Sequence, residues 1–202
     1  MVQTLVCDDA PQFKLLTDSL SLCWVHEGRH YKKLNPLVAY HQQLLDKFRE
    51  DFWDYYRQLL AYKNEPSAAI AQILRDEFEQ LFGTESGYQQ LDERKRLTRA
   101  KISELLLVLE HPELPLHNNP AELGARTMVQ RRHISYGTQT TDGTKAWDTF
   151  MSLVATTRKL GISFFEYVRD RICETGTIPS LAALIRERSS HNPFGWSWQP
   201  ES

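Results

Sequence analysis

Apolar positions change their period twice along this chain, and the changes divide it. Thr4-Leu-Val-Cys7 and Leu20-Ser-Leu-Cys-Trp-Val-His26 are short apolar, partly β-branched runs that read as strands, with a short helix candidate from Gln12 to Thr17 between them. A strand, a brief crossover and a second strand make a minimal βαβ unit, so the two strands are expected to be parallel. Asp8 and Asp9 then sit at a strand's C-terminal end, the edge where α/β sheets place ligands. Two parallel strands cannot bury both faces, so the sheet is expected to be completed by sequence preceding Met1 or by another chain.

From Leu37 to about His111 the period becomes helical. Leu37, Tyr40, His41, Leu44, Phe48, Phe52, Tyr55, Tyr56 and Leu59 recur at three- and four-residue steps and draw one long amphipathic helix ending near Asn64-Glu65-Pro66. Ile70, Ile73, Leu74, Phe78, Leu81 and Phe82 draw a second, stopped around Gly83. A third begins near Tyr88 and gains a packing face at Ile102, Leu105, Leu106 and Leu109. These segments read as a helical insertion with its own small core, and the aromatic stripe as that core rather than a cofactor box.

Pro115 to His133 reads as a rigid loop entering a helix, with Asn119 as N-cap, Pro120 at the first helical position and Glu122 at the third. On local grounds alone Glu122 is a capping-box partner and Arg126 its helical ion-pair partner. Tyr136 to Gly143 is a turn-rich connection. A helix from about Lys145 to Leu160 closes on Gly161, Ser163 and Glu166 make a capping box for the next, and Pro179-Ser180 opens a last short one. Trp196 and Trp198 lie in a tail. The expected division is 1–36 as a strand-helix-strand piece, 37–114 as the insertion, 115–190 as C-terminal helices and 191–202 as tail.

Composition narrows the class. Of 202 residues 41% are hydrophobic and 25% charged, which excludes a disordered or collagen-like chain, and no apolar run approaches the roughly 20 residues of a membrane span. With no secretory leader visible and three scattered cysteines, the chain reads as cytoplasmic and without a disulfide framework. A net charge of -2 supplies no overall field for nucleic acid, so DNA contact would need a local patch. Two exist: Arg94, Lys95, Arg96, Arg99 and Lys101, and Arg126, Arg131 and Arg132.

Carboxylates at a strand end and at a distant helix start suit a two-metal site, because Mg²⁺ takes few protein oxygens and leaves room for substrate phosphate. Asp8 and Glu122 are that pair. Cys23 and His26 have a zinc-like spacing, but on a strand they would point to opposite faces. No Gly-rich phosphate loop is present, and nothing decides a role for His117.

The blocks Val6-Cys-Asp-Asp-Ala, Leu22-Cys-Trp-Val-His-Glu-Gly-Arg-His30, Leu116-His-Asn-Asn-Pro-Ala-Glu-Leu-Gly-Ala-Arg126 and Arg158-Lys-Leu-Gly-Ile-Ser-Phe-Phe-Glu-Tyr167 resemble, in that order, the C-terminal two thirds of transposases of the insertion sequence 66 family. The resemblance implies an α/β, mostly helical chain: a truncated ribonuclease-H-like DDE catalytic core with a helical insertion. It implies Asp8 as the second catalytic aspartate and Glu122 as the final glutamate, both holding Mg²⁺ or Mn²⁺. Asp8 is preferred to Asp9 because Phe13 stands five positions after it, where the family places an aromatic residue; Asp9 stays open. Asn119, Arg126, Arg131 and Arg132 are implied at DNA, both transposon ends and target. Leu123 departs from a frequent Arg, and Arg132 replaces a usual Lys. The first catalytic aspartate has no counterpart before Asp8, so the chain is expected to be inactive alone, needing a missing N-terminal segment or a second copy. The alternatives are a non-catalytic remnant binding DNA or transposase, and a helical interaction protein that uses no metal.

Overall fold

In the computed structural model, which describes residues 4–17 and 19–191, β1 (Thr4–Cys7) and β2 (Ser19–Leu22) pair in parallel, with Thr4 opposite Ser19 and Cys7 opposite Leu22. The rest is helical: α1 (Trp24–Lys32), α2 (Ala39–Tyr62), α3 (Ala68–Gly83), α4 (Gln89–Arg99), α5 (Ile102–Leu105), α6 (Asn119–Ser135), α7 (Thr141–Lys159), α8 (Phe164–Ile172) and α9 (Leu181–His191). The mostly helical α/β class and the parallel pairing are as the hydrophobic pattern indicated. Contacts divide the chain between Asn118 and Asn119 into two compact units. The tail carrying Trp196 and Trp198 lies outside the described residues.

Three local expectations are corrected in the first unit. The crossover is a single 3-10 turn, Pro11–Phe13, instead of a helix to Thr17, because so short a run cannot offset helix nucleation and Leu15 and Leu16 find nothing to bury them. The second strand stops at Leu22. Cys23 turns the chain, and Trp24, Glu27 and Tyr31, at helical spacing, bury one face of α1; tertiary packing there overrides the strand preference of the run. The third long helix breaks at Ala100-Lys101, giving α5 and a 3-10 turn at Leu107–Leu109. Leu105, Leu106, Val108 and Leu109 are all buried, and one straight helix cannot turn four nearly consecutive residues to one side.

Leu37, Tyr40, Ile70 and Ile73, expected on the packing stripes, are exposed near the starts of α2 and α3. The remaining stripe residues pack on one another, in one cluster with residues of β1, β2 and α1. Trp24 of α1, fully buried, sits 5.6 Å from the ring of Phe52, 5.5 Å from Tyr55 and 6.2 Å from Phe78. Cys7 and Leu22 belong to the same cluster. Gly28 permits the approach of α1 to α2, since a Cβ there would meet the Trp53 ring at 2.9 Å. Trp24 also ties distant segments: its indole N–H donates to Leu105 O at 3.0 Å, and its backbone N–H to Leu116 O at 2.9 Å.

The second unit has a much smaller core, Leu160, Tyr167 and Leu181 with Leu153, Ile162, Ile178 and Leu184 around them. Its helix ends follow local chemistry. Thr140 accepts from Gly143 N, which starts α7 at Thr141, four residues before the expected Lys145. Gly161, at φ +66°, closes α7, and Ser163 caps α8 by accepting from Glu166 N at 3.3 Å. α6 begins at Asn119 itself, one residue earlier than a cap at Asn119 requires. Leu123, Val129, Ile134 and Phe150 are exposed.

Candidate functional site

The C-terminal end of β1 is built around two carboxylates in different circumstances. The strand ends at Cys7, so strand alternation does not distinguish Asp8 from Asp9; their partners do. Asp8 is exposed, and its Oδ1 accepts from Ala10 N at 3.4 Å. Asp9 adopts φ +66°, a left-handed conformation that Asp tolerates better than most side chains, and is half-buried between two lysines. Lys101 Nζ lies 2.8 Å from one of its oxygens and Lys14 Nζ 3.4 Å from the other. Burial works against the charge of Asp9, but the Lys101 bond and the positive charge of both lysines outweigh it and hold the carboxyl below its ordinary range.

Lys101 reaches a second carboxylate, Glu27, at 3.3 Å. Glu27 is 4% exposed, and its Oε1 accepts from Thr98 Oγ1 at 2.6 Å and pairs with Arg94; Tyr31 O–H meets Thr98 Oγ1 at 2.5 Å. Burial raises its pKa, yet the Thr98 and Arg94 hydrogen bonds and the Arg94 and Lys101 charges lower it further, so Glu27 is held ionised below the usual carboxylate range. Sequence reading missed Glu27. Its signal was a carboxylate interrupting the buried face Trp24, Glu27, Tyr31.

The same network settles the first basic patch. Arg94 pairs with Glu27, Lys95 donates to Thr84 O and lies 5.2 Å over the Phe48 ring, Arg96 pairs with Glu93 at 2.7 Å, Arg99 with Glu79 at 2.6 Å, and Lys101 with Asp9 and Glu27. Every cation of that patch has an internal partner. The exclusion of Cys23 and His26 as metal partners assumed a strand; Cys23 instead precedes α1, and His26 lies in its first turn with Nε2 2.8 Å from Arg29 Nη1. Among the described residues no group of three or more His, Cys, Asp or Glu is arranged to hold a metal ion, and no helix is long and apolar enough to cross a membrane.

Glu122 is half-buried in the first turn of α6, in the second unit, whereas Asp8 belongs to the first. Asn119, Arg126, Arg131 and Arg132 are exposed on the same helix. Arg126 and Arg131 line a groove of about 800 Å³ between α6 and α7, with Leu123 and Met151 on its walls and Arg158 and Lys159 from the end of α7; Arg132 is not part of the lining. Arg131 Nη1 meets Met151 Sδ at 3.2 Å across it. Arg158 and Lys159 of this lining were not among the residues expected at the site, although two cations in the last turn before Gly161 were visible in the sequence.

The pattern of the Transposase IS66 family matches residues 3–146, which include both the β1 end and the start of α6. An uncharacterized protein, y4jO, of Sinorhizobium fredii (strain NBRC 101917 / NGR234) is 39% identical over 187 residues, covering 92% of this chain. The chain spans 57% of the length of that curated relative. No solved structure matches. With well over half of its residues matched by the family pattern, the chain belongs to the IS66 family of transposases.

Proposed function

We propose that this chain carries part of a ribonuclease-H-like DDE site that cuts transposon ends by Mg²⁺- or Mn²⁺-assisted hydrolysis and joins the freed 3′-OH to target DNA. The carrying observation is the family match over residues 3–146, which encloses Asp8 and Glu122 together. Asp8 is the second catalytic aspartate and Glu122 the final glutamate, with 37–114 as the insertion between them. At the β1 end the donor that fits such an ion is Asp8, with exposed, hard carboxylate oxygens, while Asp9 is already committed to two ammonium groups. When bound, the metal neutralises charge building on the transferred phosphate. The chain's own part is to hold the ion at the β1 end and to orient DNA through Asn119, Arg126, Arg131 and Arg132, with Arg158 and Lys159 adding phosphate contacts. β1 and β2 form the whole sheet among the described residues, which supports a third carboxylate arriving on a further segment or a second copy.

A second reading, a DNA-binding remnant without cleavage, draws on the α6–α7 groove, whose cations need no metal. The two separate in one assay: nicking of transposon-end DNA by the purified chain in Mg²⁺ or Mn²⁺, beside Glu122→Gln. The expected result is DNA binding with little or no nicking by the chain alone, and nicking abolished by Glu122→Gln once the missing carboxylate is supplied. Robust nicking by the chain alone that survives Glu122→Gln removes the DDE assignment.

A further inference from the structure

We propose that Lys101 is a positioning residue for the metal-binding end of β1, a latch by which the helical segment holds Asp8 in place. The inference rests on the assignment of Asp8 made above. One ammonium group contacts Asp9, two residues beyond β1, and Glu27, in the first turn of the helix that follows β2. It therefore spans the ends of both parallel strands at the edge where such sheets take ligands.

Lys101 is itself well placed to act this way. It stands at the break between α4 and α5, and α5 packs against β2, so its own backbone is fixed relative to the sheet. Glu27 is locked from the other side by Arg94 and Thr98 and cannot follow Lys101 if the strand end drifts. Asp9 is the adaptable member: half-buried, in a left-handed conformation, directly bonded through the chain to Asp8. Fixing Asp9 fixes the peptide that carries Asp8. Lys14 adds a longer and more exposed contact from the crossover, 58% exposed against 22% for Lys101, so it cannot replace the inner one.

Two effects of removing Lys101 oppose each other, and that makes the idea testable. Simple electrostatics says that deleting a cation near a metal site strengthens metal binding. Loss of a group that orients a ligand weakens it, characteristically by about 10- to 100-fold. The experiment is Mn²⁺ titration of the full chain, following the spin-resonance signal of the free ion, with near-ultraviolet circular dichroism of the buried tryptophan region as the check on folding. Lys101→Gln is expected to weaken Mn²⁺ binding roughly tenfold and Lys101→Arg to restore most of it. Asp9→Asn should weaken binding as well, and the double variant should be little worse than either single one, because the pair acts as a unit. Lys101→Gln binding Mn²⁺ as tightly as the unaltered chain, or more tightly, overturns the latch. Should that variant lose its fold, Asp9→Asn decides alone, and unaltered affinity there overturns the latch equally. Asp8→Asn binding as the unaltered chain does overturns the assignment of Asp8 instead, a different failure from either.

Discussion

Two basic runs of similar length meet opposite fates in this protein. On α4 and the residue pair after it, five cations are spent on Glu27, Thr84, Glu93, Glu79 and Asp9: Arg94, Lys95 and Lys101 in buried or half-buried contacts, Arg96 and Arg99 in exposed ion pairs. On α6, Arg126, Arg131 and Arg132 stay exposed, and two of them border a groove that gains Arg158 and Lys159 from α7. Four cations of the first run have a carboxylate partner, and Lys95 has the Thr84 carbonyl. A charge run in sequence measures supply; whether any of it reaches a polyanion depends on how much the fold consumes.

The sharpest ways to break this comparison act on stability. Trp24→Ala removes the side chain at the centre of the larger core and is expected to cost about 3–5 kcal/mol, read as loss of the first unit's cooperative denaturant transition. Arg94→Met leaves Glu27 buried with only Thr98 and Lys101; breaking a buried pair costs roughly 3 kcal/mol, and DNA affinity in a filter or anisotropy assay should not move. A drop in DNA affinity without loss of stability reverses the contrast drawn here.

Each unit also has a buried carboxylate kept ionised by local donors. Glu27 does so in the first; in the second, Asp170 accepts from Thr175 Oγ1 at 2.6 Å and from the amide and hydroxyl of Thr177 at 2.7 Å each, with Arg171 beside it, which holds it far below its ordinary range. Folded pKa values below the unfolded ones, about 4, give stabilisation that is present above pH 4 and lost as pH falls towards the folded values. Amide exchange at Thr177 should accelerate below that pH, and Asp170→Asn should flatten its pH dependence while leaving the acid response of the Glu27 network intact.

The smallest stability effects belong to the exposed run. Arg126→Ala and Arg132→Ala should each change stability by less than about 0.5 kcal/mol. Each should also reduce the slope of log affinity for DNA against log salt by about one. Slopes unchanged by both would move the DNA surface elsewhere.

Legibility in the sequence tracked how local the cause was. The Ser163 cap, the Gly161 stop and the apolar stripe from Phe48 to Leu59 could be read because each is decided within a turn or by one helical period. The end of β2 could not, since Cys-Trp-Val-His carries strand propensity and becomes helix only because Trp24 is needed among Phe52, Tyr55 and Phe78. The network of Asp9, Lys101 and Glu27 was equally hidden, because its members lie up to 92 positions apart and their pairing follows from the helix break at Ala100. For the candidate site, sequence pattern singled out Asp8 and Glu122, whereas the reason to prefer Asp8 over Asp9 became physical only with the lysines in view.

The two bonds made by Trp24 impose an order of events on synthesis. β1 and β2 leave the ribosome before their partners, and Trp24, two residues after β2, is secured by carbonyls at Leu105 and Leu116, with its ring enclosed by helices translated in between. Until Leu116 has emerged, the strands have neighbours in sequence and no interior to join, and the nascent segment stays open to proteases and to pairing with other chains. Chains stalled shortly before and shortly after that point should differ abruptly in protease resistance at the β1–β2 crossover, with the later ones protected.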